Sequence, residues 1–221
     1  MRNTLLILLA LLIIEISGRA QVGIGITTGI DLYQFYDKGD PDELVRSSTS
    51  GSAITNIILG PKIWIGGPRL SVSLEAPVNW GMFHFDVNEF KGMGALAFPL
   101  GAKLNFGATS GFSNVDLVGF SLGGGIQYMN TEIYGTKRSF KDEIETGYFS
   151  TYYGEMAFGM GLAGFDLSLY FRYGRGEAEE MNLNIGLITN INISHMKRKS
   201  KRFFDEMEDF TTPNEVTHHA R

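Results

Sequence analysis

From Val22 onward the chain alternates apolar and polar positions with a period of two, and turn-rich segments cut the alternation into eight stretches. They predict strands over Val22–Phe35, Ala53–Ile65, Arg69–Phe85, Gly94–Phe106, Leu117–Tyr134, Tyr148–Ala163, Phe165–Tyr173 and Met181–Met196. Most exceed the five or six residues usual in a soluble strand and reach the roughly 9–11 that cross a bilayer at a tilt. Only the residues after Met196 leave room for a helix.

The alternation is two-faced. Over Arg69–Trp80 one face reads Leu70, Val72, Leu74, Ala76, Val78, Trp80, and the other Arg69, Ser71, Ser73, Glu75, Pro77, Asn79. In the last strand Met181, Leu183, Ile185, Leu187, Thr189, Ile191 oppose Asn182, Asn184, Gly186, Ile188, Asn190, Asn192. A soluble barrel turns the apolar face inward; a membrane barrel turns it out to lipid and keeps polar or tiny residues in its lumen. The alternation by itself fits both.

Three features select the membrane barrel. Connections alternate in length: Gly66-Gly67-Pro68 and Ala163-Gly164 are tight, whereas Tyr36–Ser52, Asp86–Met93 and Gly135–Gly147 are long and charged. That is the asymmetry of short inner turns and longer outer loops, with Gly107–Asp116 longer than an inner turn prefers. Aromatics gather toward the long loops (Tyr33, Phe35, Tyr36, Trp80, Phe83, Phe85, Tyr128, Tyr134, Tyr148, Phe149, Tyr152, Tyr153, Tyr173), with Trp64, Phe106 and Phe165 at the other end. Two such girdles suit lipid–water boundaries. Finally, the inward face balances Asp31, Glu75, Glu155 and Asp166 against Lys62, Arg69, Lys103 and Arg172. The interior of an eight-stranded barrel is just wide enough for side chains to fill, so these charges must pair. The tight Ala163-Gly164 turn sets Glu155 beside Arg172 and predicts an ion pair there.

The N-terminus carries an address. Met1-Arg2-Asn3 is followed by an unbroken apolar run from Leu5 to Ile14, and Gly18 and Ala20 stand at −3 and −1 to a cleavage point before Gln21. This is the pattern of a secretory signal peptide. Ten helical residues rise about 15 Å, half of a hydrocarbon core, so the run is too short for a membrane anchor.

Composition narrows the classes. The 221 residues include 28 Gly, 12% aromatics, 19% charged residues and no Cys. Disulfides, thiolate chemistry and zinc ribbons are excluded, and a net charge of −5 speaks against nucleic acid as a partner. Pro61, Pro77 and Pro99 fall inside predicted strands, where each removes a ladder hydrogen bond. Pro77 and Pro99 face each other across one hairpin, and a paired bulge is the expected accommodation.

Residues 21–196 resemble the small outer-membrane β-barrels of the OmpA or OmpX type, and are particularly similar to the PorT-like barrels of gliding and type IX-secreting bacteria. The residues carrying the resemblance are Gln21-Val22-Gly23-Ile24-Gly25 and Ala97-Phe98-Pro99-Leu100-Gly101-Ala102-Lys103. It implies an outer-membrane location and no single activity. Many such barrels end on an aromatic closing the last strand, whereas Ile193-Ser194-His195-Met196 stands here with a further segment behind it.

Other motifs dissolve on inspection. Gly159-Met160-Gly161-Leu162-Ala163-Gly164 matches the dinucleotide fingerprint, but a strand follows where that mechanism needs a helix N-terminus. His84 lies near Asp86 and Glu89 with no serine placed to complete a hydrolytic set, and His218 and His219 lie in the tail. Asp37-Lys38-Gly39-Asp40-Pro41-Asp42-Glu43 offers hard oxygen ligands without the EF-hand spacing. The tail joins a basic block, Lys197-Arg198-Lys199-Ser200-Lys201-Arg202, to an acidic–aromatic one containing Phe203, Phe204 and Phe210. The first suits anionic lipid head groups and the second a docking partner.

The sequence therefore predicts an all-β protein, an eight-stranded antiparallel up-and-down transmembrane β-barrel. Residues 1–20 form a signal peptide, 21–196 the outer-membrane barrel and 197–221 a charged periplasmic tail. The expected role is structural or accessory, within a secretion or envelope-assembly complex. Alternatives are a narrow solute channel, a lipid-modifying enzyme or a soluble calycin-like binder. No cofactor, metal or catalytic residue is expected; the expected partners are outer-membrane lipid, lipopolysaccharide, and a periplasmic or outer-membrane protein.

Overall fold

A computed structural model describes residues 20–37, 48–53, 56–85, 93–114, 116–130, 148–177 and 180–201, with the backbone alone at 37, 48–53, 82–85 and 93–94. The strands are β1 (Gln21–Asp37), β2 (Ser48–Ala53), β3 (Ile57–Gly66), β4 (Leu70–Glu75), β5 (Val78–Phe85), β6 (Met93–Gly107), β7 (Val118–Asn130), β8 (Phe149–Leu162), β9 (Phe165–Arg175) and β10 (Met181–Ile191). Residues 193–201 form a helix, α1.

Ten strands make eight staves. β2 and β3 succeed each other along one flank of β1, and β4 and β5 succeed each other between β3 and β6. The other flank of β1 pairs with β10, so the sheet closes with every neighbour antiparallel. Following paired residues round the wall from Gly23 leads through Trp64, Ser73, Lys103, Gly123, Glu155, Arg172 and Asn184 back to β1 at Gln34. That stagger is the shear that tilts strands in a closed barrel.

The wall is inverted relative to a soluble protein. Leu100 is 63% exposed, Leu122 53% and Phe158 57%, whereas Lys62 is 2% and Glu75, Lys103, Glu155 and Arg172 are each 3% exposed. Water-facing monomers rarely expose more than about a few hundred Å² of contiguous apolar surface. A belt running round every stave belongs against acyl chains, and closure of the sheet pairs its strand backbones with one another as a bilayer requires, apart from the rung at Pro77 and Pro99.

Several side chains depart from their expected places. Tyr36, Trp64 and Tyr153 were expected in the girdles, yet all three are buried in the lumen. Trp64 shares its parity with Lys62, and Tyr153 with Glu155, so the pleat turns them inward. For Tyr36 the cause is a bulge between Asp31 and Tyr33 on the β10 side, which reverses the parity beyond it. The exposed girdle keeps Tyr33, Trp80, Tyr128, Tyr148, Tyr152 and Tyr173, with Tyr128 and Tyr148 stacked at 4.8 Å.

The prolines share one patch of wall. Glu75 pairs with Gly101 and Asn79 with Ala97, so Pro77 opposes Pro99 in constant register, and no bulge forms there. Ala76 N donates to Pro61 O at 3.2 Å and Gly107 N to Arg69 O at 3.0 Å, so even residues of this stave bond toward β3 and odd ones toward β6. Both Pro77 and Pro99 thus turn their missing N–H to the same rung. One rung fails instead of two. Gly60 stands across from Pro77 because a Cβ on it would lie 2.2 Å from the Pro77 Cα.

The last strand stops at Ile191 and not Met196. Asn192 donates its N–H to Gly164 O at 2.7 Å, and its Oδ1 accepts from His195 N at 3.0 Å, capping α1. The long inner turn also has a structural purpose: residues 108–113 are all buried, folded into the mouth of the barrel. Ser71 Oγ donates to Ser110 O at 2.8 Å, Ser110 Oγ to Pro68 O at 2.7 Å, and Asn192 Nδ2 to Gly111 O at 2.9 Å. Gly111 takes a left-handed turn (φ 76°) beneath the Trp64 ring, where a Cβ would meet Nε1 at 2.9 Å.

Candidate functional site

Among the described residues, the ionisable groups that are gathered and shielded lie in the lumen. Its centre is a chain of alternating charge. Arg172 donates through Nε to Glu155 Oε2 at 2.8 Å, with Nη2 2.6 Å from the same oxygen, and through Nη1 to Gln127 Oε1 at 3.1 Å. Lys103 bonds the other oxygen of Glu155 and stands 2.5 Å from Glu75 Oε1. Lys62 lies 3.1 Å from Glu75 Oε2 and donates to Asn190 Oδ1 at 3.1 Å.

Register makes this possible. Glu155 pairs with Arg172 on one side and with Gly123 on the other, and Gly123 in turn pairs with Lys103. The missing side chain of Gly123 leaves the gap across which Lys103 and Glu155 meet: a Cβ there would lie 2.6 Å from the Lys103 Cγ. The Arg172 guanidinium also lies over two rings, 4.6 Å from Tyr153 and 5.4 Å from Tyr170.

Two further carboxylates lie apart from the central chain. Asp31 accepts from Asn56 Nδ2 at 2.5 Å, Asn184 Nδ2 at 3.1 Å and the Tyr170 hydroxyl. Asp166 accepts from Asn190 Nδ2 at 2.8 Å and Ser168 Oγ at 3.1 Å, and Thr27 Oγ1 donates to Asn190 Oδ1 at 2.6 Å. Asn190 joins Asp166 to Lys62 and so to the central chain. At the opposite end Thr151, Asn182 and Asn184 continue the polar file from Asp31. The chain is a transmembrane β-barrel with a filled core.

No family model and no curated protein matches the chain. Among solved structures it is similar to Ail, the attachment invasion locus protein of Yersinia pestis, at 8% identity over 78% of this chain and 96% of that one, with a TM-score of 0.42. It is also similar to the N-terminal β-barrel domain of OprF from Pseudomonas aeruginosa, at 12% identity over 78% of this chain and 100% of that one, TM-score 0.44. The outer-membrane protein OprG of Pseudomonas aeruginosa shares 14% identity over 80% of this chain and 94% of that one, TM-score 0.44.

Seven of the eight expected lumen charges point inward: Asp31, Lys62, Glu75, Lys103, Glu155, Asp166 and Arg172. Arg69 does not. It sits exposed in the Pro68–Arg69 bend because β4 begins only at Leu70, so its side chain leaves the rim and not the wall. Phe203, Phe204 and Phe210, His218 and His219, and residues 38–43 lie outside the described residues, and of His84 only the backbone is described. The neutral partners Gln127, Asn56 and Tyr170 carry no distinguishing mark in the sequence, whereas Asn182, Asn184, Asn190 and Asn192 stand on the face that the alternation already turns inward. Asparagine at four of the six positions on that face between 182 and 192 is the signal, since four polar side chains on one face need a polar interior.

Proposed function

We propose that this chain is exported by its residues 1–20 to the bacterial outer membrane, and that it acts there as a structural or accessory interaction barrel. The observation that supports this reading is the occupied interior. The central charges are paired across the lumen, and residues 108–113 fill one mouth. A barrel without free bore has three surfaces to offer: the lipid-facing wall, the charged outer loops and the C-terminal segment. The loops suit lipopolysaccharide and protein contacts, and the tail, with Phe203, Phe204 and Phe210, suits a periplasmic partner in a secretion or envelope-assembly complex. The reading assigns no catalytic role.

Two measurements test it. The purified barrel in a planar bilayer passes no steady current; a stable single-channel conductance would instead establish the narrow conduit. A gentle-detergent pulldown compares the full chain with one truncated after Lys201, which keeps α1. Loss of partners on truncation supports docking through the tail, and an unchanged partner set removes it.

A further inference from the structure

The basic helix at the stoppered end is held more firmly than a solvated terminus requires. Asn192 fixes its start to two inner turns, at Gly164 O and Gly111 O. Nearly two turns later Arg198 fixes it to β1, donating through Nη1 to Gln21 Oε1 at 3.2 Å and through Nη2 to Val22 O at 2.9 Å. Ser194 Oγ accepts from Ile24 N at 3.2 Å. The helix is thereby laid across the rim at the edge of the apolar belt.

Its exposed residues change character along its length. Ile193 and Met196, 40% and 46% exposed, continue the apolar surface of Val22 and Ile24. Lys197, Lys199 and Lys201 follow, all exposed, and among the described residues no carboxylate pairs with them or with Arg198. Beside them a cleft of about 110 Å³ opens between Gln21, Asn114, Arg198 and Lys199. Apolar residues at acyl depth, ammonium groups one turn further on and a cleft lined by carboxamide and basic side chains are the chemistry that recognises a phosphodiester at a membrane surface.

We propose that α1 and the Gln21 end of β1 form a docking site for the head group of an anionic phospholipid in the leaflet at the closed end of the barrel. The site rests on the membrane reading of the belt, and it extends that reading by naming which lipid the rim selects. The cleft and Lys199 take the phosphate, Lys197 and Lys201 provide the surrounding positive field, and Ile193 and Met196 lie against the upper acyl chain. Arg198 is the strut that positions the helix.

The test uses the full chain refolded into vesicles of equal phosphatidylglycerol and phosphatidylcholine, then released in mild detergent for native mass spectrometry of retained lipid. The unaltered protein carries phosphatidylglycerol in excess over its share of the vesicle. The K197Q/K199Q/K201Q variant, with the Arg198 strut intact, loses that preference by roughly 100-fold, on about 1 kcal/mol per basic residue at an anionic surface. The K197R/K199R/K201R variant keeps it. The heat-induced shift in gel migration reports insertion for each sample separately, so a barrel that inserts without selecting lipid overturns this proposal and leaves the membrane reading standing. Equal retention of both lipids by the unaltered protein overturns it. Displacement of phosphatidylglycerol by millimolar inorganic phosphate also does so, by assigning the cleft to the free anion.

Discussion

Arg172→Met is the sharpest probe of the lumen. The substitution keeps most of the stem and removes a guanidinium that is 3% exposed, gives two contacts to Glu155 Oε2 and one bond to Gln127, and packs on Tyr153 and Tyr170. Glu155 is left with Lys103, which it already shares with Glu75. Breaking a buried pair by removing one partner costs about 3–5 kcal/mol, because the remaining charge stays desolvated. Exposed Arg175 on the same strand provides the control, with Arg175→Met expected within about 0.5 kcal/mol of the unaltered protein. Arg172→Met with Glu155→Met removes both charges together, and the double variant recovers a coupling of about 0.5–3 kcal/mol relative to the sum of the singles. The assay is reversible urea titration in lipid vesicles. It is followed by the fluorescence of the two tryptophans, Trp64 in the lumen and Trp80 on the outer face, and by the gel shift. A loss under about 1 kcal/mol for Arg172→Met, the value of a water-exposed pair, would show that the lumen is hydrated and the network weak. Strict additivity of the double variant would deny that the two residues act on each other.

Three other outcomes follow from the geometry. Met156→Arg puts a charge at mid-height on the outer face and costs about 2–4 kcal/mol in the same titration, whereas Tyr148→Arg at the girdle costs about 1 or less; equal costs would remove the assignment of the belt to lipid. Gly60→Ala forces a Cβ against the Pro77 backbone and lowers stability by about 1–3 kcal/mol, while Gly67→Ala, at a position with open space around it, is tolerated. In hydrogen exchange by NMR in micelles, the amides flanking the Pro77–Pro99 rung exchange faster than those of the unbroken β8–β9 ladder; uniform protection would show that this rung is not the weak one.

Alternation carried most of this fold. A period of two over long stretches, with glycine and carboxamides on one face and Leu, Ile and Phe on the other, defines both the staves and their sidedness, because a pleated strand has only two faces. The Glu155–Arg172 register was legible for the same reason: a two-residue turn leaves a hairpin no freedom to slip. Misplacements arose where proximity was preferred to parity. Trp64 and Tyr153 lie near strand ends, where girdles form, yet they stand two residues from Lys62 and Glu155 and must share their side. Tyr36 was not legible, because the bulge beyond Asp31 that reverses its parity has no Gly or Pro to announce it. Arg69 has the parity of Ser71 and Glu75 but lies one residue before the strand begins, so the pleat does not govern its side chain. The plug of residues 108–113 was visible only as a turn of excess length, since small polar residues that satisfy a barrel mouth look, in sequence, like any loop.

The proline patch and the charge chain answer one constraint from opposite directions. A narrow closed wall has no water to repair a broken rung, and a buried charge in it needs either an opposite charge or hydrogen-bond donors, as Asp31 has in Asn56, Asn184 and Tyr170. Pro77 and Pro99 meet that constraint by spending both missing donors on one rung. The lumen meets it by giving Glu75 and Glu155 two cations each, with Lys103 common to both. Sharing of that kind ties β3, β4, β6 and β8 through three ion pairs, of which Lys103–Glu155 reaches across β7 to join staves that no ladder joins, and Arg172 extends the tie to β9. The cross-bracing spans the stave made by β4 and β5, which Ala76 and Pro77 separate. The wall can therefore tolerate a defective rung there because the interior holds the same staves together by charge.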